Sequence, residues 1–281
     1  MTREMLGSVT LMFAAMSLIP LGDTAGKLLT GTHGLTPFFV AFSRFAVGAV
    51  LVVLILGGRV LWPLFRDWRV WLRAALIAAG IASIMTALRT EDIATVFGAF
   101  FVGPLVSYVL SIRFLGERVS RGQSVLLALG FCGVLLVVRP GFGMTPGLGF
   151  ALLAGVFYGA FLTTSRWLSD IAPPRQLMLT QVVLGMVLLA PMGLMDVPAF
   201  DGPITGLLLL SGGASALGNL LLILAYRRTG ATVLAPFVYF QLVSATLLGW
   251  TVFGTFPDPL ALVGLALLVG AGIGTLALRR A

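Results

Sequence analysis

Residues 94–107 read ATVFGAFFVGPLVS, and residues 231–244 read ATVLAPFVYFQLVS. Ala-Thr-Val opens both stretches and Leu-Val-Ser closes both, at one offset (231 − 94 = 137). The same offset pairs Phe13-Ala14 with Phe150-Ala151, Pro37 with Pro174, Gly48 with Gly185, Val50-Leu51 with Val187-Leu188, and Ala79 with Ala216. Neither stretch carries a charge. An apolar half-chain that occurs twice predicts two structural repeats, residues 1–140 and 141–281.

The rest of the composition sets the medium. Hydrophobic residues make up 59% of the 281 and charged residues only 10%, whereas soluble domains carry about 25% charged residues. Too little polar surface is left to cover a globule, so the outer face must meet lipid. The formal charge of +8 would suggest nucleic acid in a soluble protein. Here the basic residues lie between apolar runs, where they set topology and meet anionic head groups, and no nucleic-acid partner is expected. Cys132 is the only cysteine and His33 the only histidine, so no internal disulfide and no histidine-based metal site or triad is expected. No cofactor is implied.

A helix needs about 20 apolar residues to cross the hydrocarbon. Ten stretches qualify: 5–25, 36–57, 69–88, 93–112, 122–138, 146–166, 175–195, 203–226, 230–253 and 259–278. The first is read as an uncleaved span, since no convincing small-residue cleavage site follows it. The runs are continuous, which predicts helices and not the alternating strands of a barrel. With the N-terminus in the cytoplasm, 14 of the 18 Lys and Arg residues fall inside, Lys27, Arg89 and Arg139 fall outside, and Arg44 falls within a span. Both termini are therefore expected in the cytoplasm. Five spans per half is an odd number, so the second half enters from the opposite side. The expected fold class is all-α integral membrane, with ten transmembrane helices as two inverted five-helix repeats in a bacterial inner membrane.

Leu115-Gly116-Glu117-Arg118-Val119-Ser120, with Gln123 beyond, follows the fourth span, and Phe42-Ser43-Arg44-Phe45 places an arginine in the second. With Ala94 and Pro104 upstream and the five-plus-five repeat, the chain resembles the drug/metabolite transporter superfamily, in its ten-helix EamA type. The resemblance extends to bacterial exporters of aromatic and other amino acids. It implies a secondary transporter that takes a small-molecule substrate and works as a monomer or weak dimer. The family usually has a glutamate in the second half as well, where this chain has Thr255, and Gln181 stands at the repeat position of Arg44 (44 + 137 = 181). The halves have diverged.

Glu117 begins a charged cluster that reads either as a helix start or as a cytoplasmic gate contact. Arg44 lies about 12 Å into its span at 1.5 Å per residue. A charge at that depth needs a partner, and Asp23 is the candidate; the pair is read as an outer gate, a substrate contact or a structural ion pair. Phe97, Phe101, Pro104 and Tyr108 share one face of a regular helix, read as cavity wall or as packing. The carbonyl that Pro104 leaves unpaired is expected to meet a wet cavity and a substrate amino group. Pro236, Tyr239 and Gln241 repeat the theme in span nine. Ser211, Ser215 and Asn219 stand four apart in span eight, either as interhelical hydrogen-bond partners or as substrate contacts. Tyr158 completes the set. Gly155/Gly159 and Gly270/Gly274 match GxxxG, expected to pack helices closely.

These readings point to alternating-access export of amino acids or similar metabolites. An importer or multidrug carrier of the same fold is the alternative. An intramembrane enzyme is disfavoured by the lack of an HExxH, of paired intramembrane aspartates and of a nucleophile beside a base. No GxxxxGK[S/T] loop exists for ATP-driven pumping. None of the ten acids lies at mid-depth, with Asp23 the nearest, which favours facilitated export over proton coupling.

Overall fold

Proline and glycine decide where the helices of this chain start, stop and break. The computed structural model describes residues 3–56, 60–116, 121–139, 144–228 and 235–280. The helices are α1 (Arg3–Lys27), α2 (Pro37–Leu56), α3 (Trp68–Leu88), α4 (Ile93–Phe100), α5 (Val102–Leu115) and α6 (Arg121–Val138). They continue as α7 (Pro146–Trp167), α8 (Pro174–Gly193), α9 (Gly202–Arg228), α10 (Phe240–Phe253) and α11 (Pro259–Arg280). A π-turn, Leu28–Thr32, extends α1, and short 3-10 turns cover Trp62–Arg66 and Ala235–Tyr239. Among the described residues there is no strand. Seven helical segments are long and apolar enough to cross a membrane, and three further apolar helices, Ser124–Val138, Phe237–Phe253 and Pro259–Ala271, are shorter. The chain is an all-helical membrane protein.

Local chemistry explains the boundaries. Pro146 and Pro174 open α7 and α8, where their missing N–H would be unpaired in any case. Thr145 accepts from Leu148 N at 3.1 Å, and Asp67 accepts from Arg69 N at 2.9 Å, as N-caps. Asp258 accepts from Leu260 N and Ala261 N ahead of α11. Gly116 (φ 66°) and Gly254 (φ 68°) end α5 and α10 in the left-handed region that favours glycine. These two helices have equal length, 14 residues each.

The predicted span 93–112 departs from one straight helix. It breaks at Phe101, where α4 ends and α5 begins. Pro104 cannot donate to the Phe100 carbonyl, so the ladder opens there. Of span 230–253, the described part, 235–253, is a 3-10 turn followed by α10. The strongest packing pairs are α1 with α9, α3 with α7, α2 with α8 and α6 with α11. The two halves of the broken span part company: α4 packs against α6, α7 and α10, and α5 chiefly against α7.

Glycines permit the closest crossings. A Cβ on Gly155 would sit 2.6 Å from the Phe100 carbonyl oxygen, and one on Gly159 would collide with that of Gly103. Gly155/Gly159 thus seats α7 on the broken span. Gly270 meets nothing within 4 Å, while a Cβ on Gly274 would sit 2.9 Å from Leu126 Cδ2 of α6, so one glycine of the other GxxxG makes a close contact. The same α6–α11 crossing seats Gly133 on Gly264, each 2.7 Å from the other's carbonyl if given a Cβ.

Candidate functional site

Arg44 is buried on α2 and points between α1 and α9. Its guanidinium donates through Nη1 to Asp23 of α1 and through Nη2 to Ser215 Oγ of α9. Nη1 also lies 3.7 Å from the Met85 sulfur of α3. Asp23 is buried too, so the pair is a neutral unit in a low-dielectric setting, where a lone charge would be costly. Gly22 makes room for it: a Cβ there would meet the Ser211 carbonyl at 2.8 Å as well as the Ser215 hydroxyl. Ser211 Oγ donates to the Gly22 carbonyl at 2.8 Å, tying α9 to α1 beside the ion pair. Arg44 Nε is a buried nitrogen without a hydrogen-bond partner among the described residues. Asn219, half-buried one turn beyond Ser215, donates to the Ser215 carbonyl at 2.8 Å.

The aromatic residues gather at the break. Phe97 is wholly buried, with its ring centroid 6.3 Å from that of Phe100. Phe100 lies 4.8 Å from Tyr158, which stacks on Phe161 at 6.0 Å. Phe101, the N-cap of α5, meets Tyr239, the N-cap of α10, at 5.3 Å. Gln241 is buried two residues further along α10.

Two expectations are corrected. Phe97, Phe101, Pro104 and Tyr108 do not share one straight face, because the helix breaks between them. Tyr108 instead reaches α6, where its hydroxyl pairs with Ser124 Oγ at 3.1 Å. The carbonyl freed by Pro104, that of Phe100, lies against Gly155 of α7, so protein backbone abuts it and not an open cavity. Pro236 belongs to the 3-10 turn before α10. Glu117 lies outside the described residues, as does the start of the quoted second stretch, 231–234.

Arg73 was not legible as more than a topology-setting charge. It is buried on α3 and donates to Ser165 Oγ of α7 at 2.8 Å, to the Leu177 carbonyl of α8 at 3.0 Å and to Gln181 Oε1 at 3.0 Å. Its guanidinium also lies 4.5 Å from the Phe161 ring centroid. Arg44 thus joins α2 to α1 and α9, and Arg73 joins α3 to α7 and α8. The available signal was its place in the row Val70, Arg73, Ile77, Gly80, spaced as one helix face that is otherwise apolar or small.

The ends of the bundle are held differently. At one end Lys27 Nζ donates to the Leu88 and Glu91 carbonyls at 3.1 and 2.6 Å and lies over the Phe253 ring. Thr145 donates to Glu91 at 2.6 Å, and Arg139 pairs with Asp258. At the other end Leu61 N donates to Gln176 at 3.2 Å, and Trp68 meets Trp167 at 5.9 Å.

An all-helical membrane bundle with two buried arginine clusters and a broken helix whose break meets the start of α10 belongs to the class of multi-pass membrane proteins. The chain is a member of the EamA-like transporter family, which it matches over residues 6–139 and again over 145–277. It is 26% identical to a riboflavin transporter of Brucella anthropi, over 93% of this chain and 95% of that protein. It is 24% identical to an S-adenosylmethionine uptake transporter of Rickettsia bellii, over 89% and 86%. It is 30% identical to the pseudopaline exporter CntI of Pseudomonas aeruginosa, over 61% of this chain and 62% of that protein. A crystal structure of a protein 19% identical shares the fold, with a TM-score of 0.68 over 97% of both chains.

Proposed function

We propose that the chain is a ten-span carrier in a bacterial inner membrane that moves a small metabolite bearing a flat ring, by alternating access, and catalyses no reaction. An aromatic amino acid leaving the cell is the first candidate. The observation that carries this reading is the meeting of the α4–α5 break with the 3-10 entry to α10, through Phe101 and Tyr239. Discontinuous helices facing one another inside a bundle are how many carriers build a midplane site.

Two inverted repeats, 1–140 and 141–281, account for the packing. Exchanging the halves turns α1 into α7, α2 into α8, α3 into α9, α5 into α10 and α6 into α11. The α1–α9 pair then becomes α7–α3, and α2–α9 becomes α8–α3, while α2–α8 and α6–α11 map onto themselves; all are strong pairs. The two arginine clusters map onto one another likewise, since Gln181, the repeat position of Arg44, accepts from Arg73. The end bearing Lys27, Glu91, Arg139 and Asp258 is the outer, closed one in this arrangement, with both termini at the cytoplasmic side.

In this reading the aromatic side chains of Phe97, Phe101, Tyr158 and Tyr239 wall the passage, aided by Pro104 and Pro236. Ser215, Asn219 and Gln241 orient the substrate's polar groups. Asp23 and Arg44 form an outer gate, and Glu117 an inner contact. A second reading, uptake of a larger heterocyclic metabolite, is favoured by the relatives named for riboflavin and S-adenosylmethionine. Counterflow in proteoliposomes distinguishes them. Trans-stimulated exchange of labelled phenylalanine or tryptophan supports the first reading, and exchange of riboflavin or S-adenosylmethionine alone supports the second. No exchange of any of the four by reconstituted, folded protein contradicts both.

A further inference from the structure

A groove of about 460 Å³ separates α5 from α6. It arises because two neighbours hold the two halves of one broken span. Above the break α4 is pinned to α6, where a Cβ on Gly98 would meet Val137 at 2.7 Å. Below it α5 is pinned to α7 through Gly103 and Gly155. The wedge between is walled by Leu105, Val106 and Val109 of α5 and by Leu127, Ala128 and Phe131 of α6.

Its chemistry decides between water and hydrocarbon. Water in a cavity needs two or more polar partners. The groove wall offers one hydroxyl, that of Ser124, and Tyr108 already engages it. The surface around the mouth is apolar as well, with Val109, Ile112, Val125, Leu129 and Phe131 all exposed. In a membrane-spanning bundle such a mouth opens on acyl chains. Arg113 stands on the same helical row as Val106 and Val109, about one turn nearer the end of α5, and is exposed. Arg118 and Arg121 follow in the sequence. An apolar slot with a guanidinium at its end matches an anionic phospholipid, with its tail in the slot and its phosphate at the cation.

We infer that the α5–α6 groove is a binding site for an anionic phospholipid, with one acyl chain lying between Val109 and Ala128 and the head group at Arg113. This goes beyond transport, since the lipid is a resident of the fold and not its cargo.

The test is native mass spectrometry of detergent-purified full-length protein, delipidated and then offered phosphatidylglycerol or phosphatidylcholine. The wild type is expected to retain one phosphatidylglycerol in preference to phosphatidylcholine. Ala128→Trp and Val109→Trp, which fill the slot from opposite walls, are expected to lose it. Leu209→Trp, exposed on α9 away from the slot, keeps it. Arg113→Gln is expected to bind both lipids alike. Unchanged retention in both slot-filling variants overturns the site, and an Arg113→Gln variant with undiminished preference overturns the head-group assignment. Because slot-filling variants can misfold, the wild type is also exposed to phosphatidylglycerol carrying a tail diazirine. Labelling concentrated in 102–110 and 124–131 supports the site, and labelling spread evenly over the lipid-facing helices contradicts it.

Discussion

Asp23 and Arg44 illustrate how far depth alone carries a reading. A cation about two turns inside an apolar span needs an anion, and the structure joins these two side chains. Removing one partner leaves the other charge buried and unpaired, at a cost of about 3–5 kcal/mol. Asp23→Asn is therefore expected to lower thermal stability in detergent markedly, while Asp23→Asn with Arg44→Gln recovers much of the loss; equal melting temperatures for both variants would contradict a paired burial. Arg73 behaves otherwise, because its acceptors are neutral. Arg73→Met is expected to leave the Gln181 amide oxygen short of the donor it meets at 3.0 Å, at about 1–3 kcal/mol; an unchanged melting temperature would show that the cluster carries no stability. Arg73 was illegible because a charge near a span end has an ordinary explanation in topology. Its partners lie 92 to 108 residues away in the sequence. Nothing local announces them.

Among the helices, breaks were harder to read than spans. The apolar runs marked nearly every helix to within a few residues, since length and composition suffice for that. Pro104 signalled a disturbance in the fourth span, yet nothing in the sequence said that α5 would leave α6 and settle on α7. That choice rests on Gly155 and Gly159, whose lack of a side chain lets backbone meet backbone. Gly159→Leu is expected to push α5 off α7 and destabilise the protein by about 1–3 kcal/mol. Gly149→Ala, on the same helix with nothing within 4 Å, serves as the silent control; equal melting temperatures would contradict the close crossing. Asp258 offers a pH-dependent case outside the spans. The Ala261 backbone N–H, and with it Arg139 and the Leu260 N–H, holds this carboxyl below its ordinary range. Its contribution is thus present above the ordinary carboxylate pKa and fades as pH falls through the lowered value. Asp258→Ala is expected to cost about 1 kcal/mol of cap energy. Hydrogen exchange over 259–265 should speed up at neutral pH in that variant, with the difference from the wild type shrinking in acid. A pH-independent difference would contradict the capping role.

At the level of the whole molecule, the two stretches that share Ala-Thr-Val and Leu-Val-Ser already implied a doubled architecture. The odd number of spans per half implied that the second copy runs the other way. The repeat also exposed its own divergence, with Gln181 at the position of Arg44, but not the consequence: Arg44 faces Asp23 in one corner, whereas Gln181 receives Arg73 in the other. Opposed threading is the premise on which a passage shared between the halves depends. It is tested most directly by single-cysteine labelling in a Cys132→Ser background, at two positions one repeat apart (62 + 137 = 199). Trp62 and Ala199 are both exposed. With a membrane-impermeant maleimide, Trp62→Cys is predicted to react only in inverted vesicles and Ala199→Cys only in intact cells. Reaction of both from the same side would contradict the inverted repeat and the carrier mechanism built on it.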